Sequence, residues 1–432
     1  MKIIKYPEKK TWKDLIERPA IDEKSIRKIV KPILKKVREK GDKALRKLTY
    51  EYDHVELDHI LVTPAEIAEA KKHVKNDLKD AIHLAYENIE KFHMAQRQHT
   101  IEIETIEGVI CKRKSVPIEK VGLYIPGGSA PLFSTILMLG IPARVAGCKH
   151  VVMCTPCNRD GEIAPAILYT ADLVGIEMIA KVGGAQAIGA MAFGTKTIPR
   201  VDKIFGPGNQ FVTAAKQLVS QWGTAIDMPA GPSELAVIAD ETAIPEFVAA
   251  DLLSQAEHGI DSQVILITTS EKLLNEVRKE IGEQKSDLPR KHIVQKSLEN
   301  ARLILVKSIE QALDLSNLYA PEHLIISADN EELLAESVVN AGSVFLGNYA
   351  PESAGDYASG TNHTLPTYGY ARAYGGVSLD SFMKKITFQK ISERGLCNIG
   401  PAVMQMASAE KLDAHKKAIS IRLKHIQENE KV

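Results

Sequence analysis

Apolar positions along the chain follow one spacing up to about residue 100 and another beyond it. In the first region Ile26, Val30, Ile33 and Val37 recur at helical spacing, and Gly41 closes the segment. Pro32 falls inside that pattern and predicts a kink or a restart. Thr63-Pro64-Ala65-Glu66 is a capping box with proline in the first helical position, so a long helix is expected to about Gln96. Residues 1–100 therefore read as a helical arm or layer with little chemistry. His73, His83 and His93 lie on it ten residues apart, too distant to chelate one ion, and are expected to serve surface or helix packing.

From about residue 101 short apolar runs alternate with helical stretches. The first series is Val121–Ile125, a helix to about Ala146, Val151–Cys154, a helix at Pro165–Leu173, Met178–Val182, Ala185–Phe193, Val201–Phe205 and Asn209–Gln221. The second begins at Leu235–Ile238. It continues through a helix ending near His258, Val264–Thr268, Leu273–Ile281, Leu303–Val306, a helix to about Tyr319, Leu324–Ile326, a helix to about Asn340, and Ser343–Leu346. Repetition of this kind is satisfied by mostly parallel sheets with helices on both faces, an α/β fold. Two lobes are expected, at 101–232 and 233–380, meeting near Ala225–Glu234. A crevice between them is the default ligand site. The tail, 381–432, reads as mixed and then helical from Ala407 onward.

Composition narrows the partners. At 432 residues the chain is long enough for about three domains and a large core. Lys+Arg and Asp+Glu are both 55, so the formal net charge is zero. That argues against nucleic-acid and membrane-surface partners, which favour basic faces. No run of about 18 apolar residues is present, so no membrane span is expected. MKIIKYPEKKTWKDL has no apolar core of a signal peptide. Five cysteines, an odd and sparse count, point to a reducing, cytoplasmic compartment without structural disulfides.

The candidate chemistry begins at Asp251-Leu252-Leu253-Ser254-Gln255-Ala256-Glu257-His258-Gly259, the predicted end of a helix. Gln255 and His258 are three apart and share a face, which offers half of a metal site. The alternative is a solvated last turn with His258 near the negative end of the helix dipole. Glycine and proline punctuate several strand ends: Pro126-Gly127-Gly128, Gly183-Gly184-Ala185-Gln186, Gly206-Pro207-Gly208-Asn209 and Ala230-Gly231-Pro232-Ser233. Four such turns suit a nucleotide or phosphate-bearing ligand, although GxGxxG is missing. Pro321-Glu322-His323 places a carboxylate beside an imidazole at a strand start, a pair suited to proton transfer and water activation. Asp356 and His363 lie in a polar, glycine-rich loop. Glu410 and His415 lie on the C-terminal helix. An aspartate and a further histidine would complete, with Gln255 and His258, a mixed N/O site suited to zinc. Cys154-Thr155-Pro156-Cys157 is half of a four-cysteine site at most, and the apolar strand before it favours packing.

Longer motifs then point to one family. VGLYIPGG, VGGAQAIGA, VDKIFGPGN, AIDMPAGPSE, DLLSQAEHG, APEHL and SAGDYASGTNHTLPT resemble the histidinol dehydrogenase family, over nearly the whole chain. The resemblance implies two incomplete Rossmann-like lobes related to the aldehyde dehydrogenase fold, with a helical N-terminal region and a C-terminal helical tail. That fold accounts for the missing GxGxxG. It implies NAD- and zinc-dependent four-electron oxidation of L-histidinol to L-histidine via L-histidinaldehyde, the last steps of histidine biosynthesis, with one zinc ion per subunit. Metal ligands fall by resemblance on Gln255, His258, Asp356 and His415. The general base and the water activator fall on His323 and Glu322. Substrate contacts fall on Ser233, Gln255, His258, His323, Asp356, Glu410 and His415, and NAD contacts on Tyr124, Gln186 and Asn209. The first lobe is then the NAD-binding one, and the second carries the metal and catalytic residues. The resemblance also implies a homodimer with shared active sites, in which the C-terminal segment carries Glu410 and His415 into the partner's site.

Three rival chemistries remain open at this point. One is a thiol mechanism with Cys154 or Cys157 as nucleophile. A second is a zinc hydrolase built on Glu322 and His323, and a third is a metal-dependent protein that binds a small molecule without turning it over.

Overall fold

The central apolar runs of the two series are strands buried on both faces, and parallel pairing follows from the helices that cover those faces. The computed structural model describes residues 1–19, 22–127 and 130–429. Gly128, one of the expected turn glycines, lies outside the described residues. Residue contacts divide the chain into two units, residues 1–96 with 118–382, and residues 97–117 with 383–432.

The larger unit holds two parallel sheets. In the first lobe the strands run Met178–Ala180, His150–Cys154, Lys120–Tyr124, Lys203–Phe205, Ala225–Ile226 across the sheet. In the second lobe the order is Lys2–Lys5, Arg302–Leu305, Gln263–Thr268, Glu234–Ala239, His323–Ser327, Ser343–Leu346. Leave out Lys2–Lys5, and both lobes repeat one topology. The first strand lies between the second and the fourth, so the direction of winding reverses beside it. That is the doubly wound order with its last strand missing, an incomplete Rossmann-like lobe in each case.

The N-terminal region differs from the expected helical arm. Lys2–Lys5 is a strand on the edge of the second lobe's sheet. Trp12, Leu15 and Ile16 join the second lobe's core. Ile26, Val30, Leu34, Leu45 and Leu48 instead join the first lobe's core, so this region is shared between both lobes. Four residues with two half-buried isoleucines carry too little periodicity to announce a strand. The Glu23–Asp53 helix breaks at Gly41 (φ 50°, ψ −132°) and resumes at once, whereas Pro32 stays within helical geometry. The helix expected from Thr63 to Gln96 is two, Pro64–His73 and Asn76–Ala95, separated by extended backbone at Val74 and Lys75. Its capping box is present: Glu66 N–H donates to Thr63 Oγ1 and Thr63 N–H to Glu66 Oε2. His73 pairs with Glu69 and His83 meets the Tyr169 hydroxyl, both on the surface, while His93 is buried against the Ile89 carbonyl.

The smaller unit is a three-stranded antiparallel sheet, Met383–Ile391, Val109–Pro117, Ile101–Ile106, with helices Glu393–Ala409 and Asp413–Asn429. Its hairpin at 101–117 was expected to open the first lobe. It pairs instead with a strand 270 residues later in the chain, a partnership that local spacing does not encode. Among the described residues no helix is long and apolar enough to cross a membrane.

Candidate active site

Three elements of the second lobe converge at the amino ends of its strands. Helix Pro245–Ala256 starts on a proline at its first turn and runs back from strand Glu234–Ala239, so its C-terminus arrives there. Gln255 lies in its last turn, fully buried, and His258 follows just past the end, exposed. Strand His323–Ser327 begins there, with Glu322 immediately before it. The six-residue helix Glu352–Tyr357 supplies Glu352 and Asp356, one turn apart on one face. Its approach requires Gly355: a Cβ there would sit 2.6 Å from the Phe345 ring of strand Ser343–Leu346.

The polar groups interlock. A His258 ring nitrogen and carboxylate oxygens of Glu352 and Asp356 lie within 4.8 Å of one another. Buried acceptors do not face each other, so the Gln255 amide turns its nitrogen to Glu352, donating to Oε2 at 2.9 Å and also to Oε1. His323 stands among carboxylates. Its Nδ1 is 3.4 Å from the Glu234 carbonyl, 3.7 Å from Glu322 Oε2 and 3.9 Å from Glu352 Oε1, and its Nε2 is 3.6 Å from Asp356 Oδ1. Glu322 Oε2 accepts from Glu234 N–H at 2.9 Å.

Burial and charge set the protonation states. Burial alone lowers the His323 pKa, but the Glu352, Glu322 and Asp356 carboxylates outweigh it and raise it to about 10. Burial pushes Glu322 up to about 8. Burial raises Asp356 as well, but the His323 ring standing 3.6 Å away overcomes it and leaves the carboxyl below its usual range. Desolvation of the ring by its protein neighbours lowers His258, and burial lowers His363. His363 Nδ1 donates to the Asp356 carbonyl at 2.9 Å, and its Nε2 meets the Thr135 hydroxyl at 3.2 Å. It thereby ties the Asp356 segment to helix Phe133–Ala146 of the first lobe.

The expected cofactor residues lie at the opposite edge of the other sheet, the carboxyl ends of the first lobe's strands. Tyr124 ends strand Lys120–Tyr124, and its hydroxyl accepts from Gly184 N–H at 3.1 Å. Gln186 is buried in the first turn of helix Gly184–Phe193. Asn209 caps helix Gln210–Ser220, accepting from the N–H groups of Phe211 and Val212. Tyr124 and Asn209 flank the point where the winding reverses, the usual place for a dinucleotide in such a sheet.

Of the expected metal set, the structure gathers Gln255, His258 and Asp356. Glu410 and His415 belong to the smaller unit, where both are exposed. Ser233 directly precedes strand Glu234–Ala239 and accepts from Gln263 N–H. Glu352 was not singled out in the sequence. Its four-residue spacing from Asp356 was the available signal. Cys154 is fully buried, with its thiol pushed up to about 12 by burial, and burial raises Cys157 too. All five cysteines are free. Between the two cysteines, Pro156 packs where a Gly183 Cβ would stand, at 2.6 Å.

Comparison with known proteins follows the same lines. The family profile described as histidinol dehydrogenase matches residues 16–423. A histidinol dehydrogenase of Bacteroides thetaiotaomicron is 59% identical over 423 residues, covering 98% of this chain and 99% of the relative. One from Campylobacter jejuni is 51% identical over 432 residues, covering 99% of this chain and 100% of the relative. The crystal structure of histidinol dehydrogenase from Elizabethkingia anophelis matches with a TM-score of 0.97 at 56% identity, over 99% of each chain.

Proposed function

Because the chain belongs to the histidinol dehydrogenase family, we propose that it oxidises L-histidinol to L-histidine through L-histidinaldehyde, with NAD and zinc, at the end of histidine biosynthesis. The observation that carries the site assignment is His323, buried between Glu322 and Asp356 beside the Gln255–His258 cluster.

The donor set fits a divalent metal. An imidazole nitrogen and carboxylate oxygens stand within one ion's reach, at a helix C-terminus whose dipole favours positive charge. Gln255, His258 and Asp356 would hold the ion from one chain, and His415 of the partner subunit would complete the set. When bound, zinc supplies a fixed positive charge that orients the imidazole and amine nitrogens of L-histidinol and offsets the surrounding carboxylates. Tyr124, Gln186 and Asn209 would hold NAD, and two NAD molecules in turn would accept the two hydrides.

The chain's own residues move the protons. His323, in its neutral form, takes the hydroxyl proton as hydride leaves the alcohol carbon. The product is the aldehyde. Glu322, poised near neutrality by burial, takes a proton from water as the water oxygen bonds to the aldehyde carbon, and protonated His323 returns its proton to the aldehyde oxygen, giving the hydrate and a free base. One Glu322 oxygen is committed to Glu234 N–H, which leaves the other for water. His323 then takes a proton from the hydrate as the second hydride leaves, giving the acid. Ser233 of the same chain as His323 contacts the substrate, and so does Glu410 of the partner subunit.

The dimer is supported by the smaller unit's surface. Ile101, Ile103, Phe388, Met406 and Ile421 are all exposed there, and apolar area of that kind calls for a covering partner. We assign 118–232 to NAD, 233–380 to metal and catalysis, and 97–117 with 383–432 to exchange between subunits, with the N-terminal region shared between the two lobes. Five free cysteines agree with a cytoplasmic setting.

The test is stoichiometric. L-Histidinol with excess NAD should give two reduced cofactors per histidine, abolished by chelation and restored by zinc. One reduced cofactor with aldehyde released would remove the second oxidation. Turnover without NAD would favour a hydrolase.

A further inference from the structure

The Gln255 side chain is ambiguous as a metal ligand. Its amide has an oxygen that can bind a cation and a nitrogen that can only repel one. The two ends are nearly identical in shape, so nothing in Gln255 itself chooses which end faces the ion. The choice must come from whatever holds the other end.

Glu352 is that group. It is 1% exposed, at the start of a helix that Gly355 brings against Phe345. A carboxylate has acceptors only, and both of its oxygens take the Gln255 amide nitrogen. Glu352 Oε1 also stands 3.9 Å from His323 Nδ1, on the opposite side of that ring from Asp356. Glu352 and Asp356 are one helical turn apart, so a single short helix delivers the ligand and the group that aims its neighbour.

We propose that Glu352 is the positioning residue of the metal centre: it captures the Gln255 nitrogen and so presents the Gln255 oxygen to the cation. This rests on the reading of Gln255 and His258 as metal ligands. Partners of this kind, once removed, typically weaken metal affinity by about 10–100-fold.

Zinc affinity of the full 432-residue chain, by competition with a chromophoric chelator, separates the possibilities. Glu352→Gln keeps the shape but accepts and donates equally well, so the Gln255 amide loses its fixed sense. Its zinc affinity should fall by about 10–100-fold while NAD binding is unchanged. The exchanged pair Gln255→Glu with Glu352→Gln should recover most of the loss, because the amide and the carboxylate have only traded places. Gln255→Glu alone should bind zinc weakly, since two carboxylates would then face each other. This second single variant carries the test if Glu352→Gln fails to fold. Wild-type zinc affinity in Glu352→Gln, or no recovery in the exchanged pair, would overturn the positioning role. Unchanged zinc affinity in His258→Ala would instead overturn the metal site beneath it.

Discussion

The Nε2 of His323 stands 3.6 Å from Oδ1 of Asp356, and among the described residues it is a buried nitrogen without a hydrogen-bond partner. A buried polar atom left unpaired in the resting protein is a place where a ligand group belongs. The substrate hydroxyl is that group in the proposed reaction. His323→Asn should therefore lower both half-reactions by about 10²–10⁴-fold. Glu322→Gln should mainly slow the aldehyde step. Separate assays with L-histidinol and L-histidinaldehyde check this, and a Glu322→Gln enzyme slowed only in alcohol oxidation would reverse the roles.

Asp251 lies one turn before Gln255, and burial pushes its carboxyl up to about 7 from an ordinary value of 3.8. The unfolded chain gives up that proton near 3.8, while the folded chain holds it to about 7. Between those values the folded state binds more protons, so stability falls as pH rises, and the penalty is complete above about 7. Asp251→Asn should raise the Tm of the metal-free protein at pH 8 and leave it unchanged near pH 4. Thermal unfolding at the two pH values decides the matter.

Gly355 lets helix Glu352–Tyr357 touch Phe345. Gly355→Ala places a methyl group into that ring and should destabilise the fold by about 1–3 kcal/mol. Because the displaced helix carries both Glu352 and Asp356, zinc affinity should fall as well. Denaturant unfolding and metal competition measure the two effects. A stability loss with undiminished zinc binding would show that the helix shifts without moving its acids.

The thiol alternative makes the opposite demand on Cys154 and Cys157. A nucleophile must ionise, and burial holds both thiols above the ordinary range. The Cys154→Ala, Cys157→Ala double variant should retain turnover, measured by NAD reduction per folded subunit. Complete loss in a folded double variant would bring the thiol mechanism back.

Local spacing alone determined a good deal of this protein. Continuous apolar runs such as Leu235–Ile238 and Val264–Thr268 announced strands buried on both faces, because only covered strands tolerate apolar residues at every position. The Thr63–Glu66 box announced a helix start, since both of its hydrogen bonds are local. Gln255 and His258 announced half of a site through one turn of spacing. The longer motifs carried the family. The tertiary structure alone decided what depends on distant partners. Lys2–Lys5 is a strand because Arg302–Leu305 offers it an edge. The hairpin at 101–117 leaves the first lobe because Met383–Ile391 pairs with it. Glu352 joins the site because Gly355 allows its helix to approach Phe345, which brings its carboxylate to the Gln255 amide almost a hundred residues away in sequence. Its four-residue spacing from Asp356 puts it on the same face but does not say which group it meets. Its role comes from the single group it faces, and that group is chosen by the packing of the whole lobe.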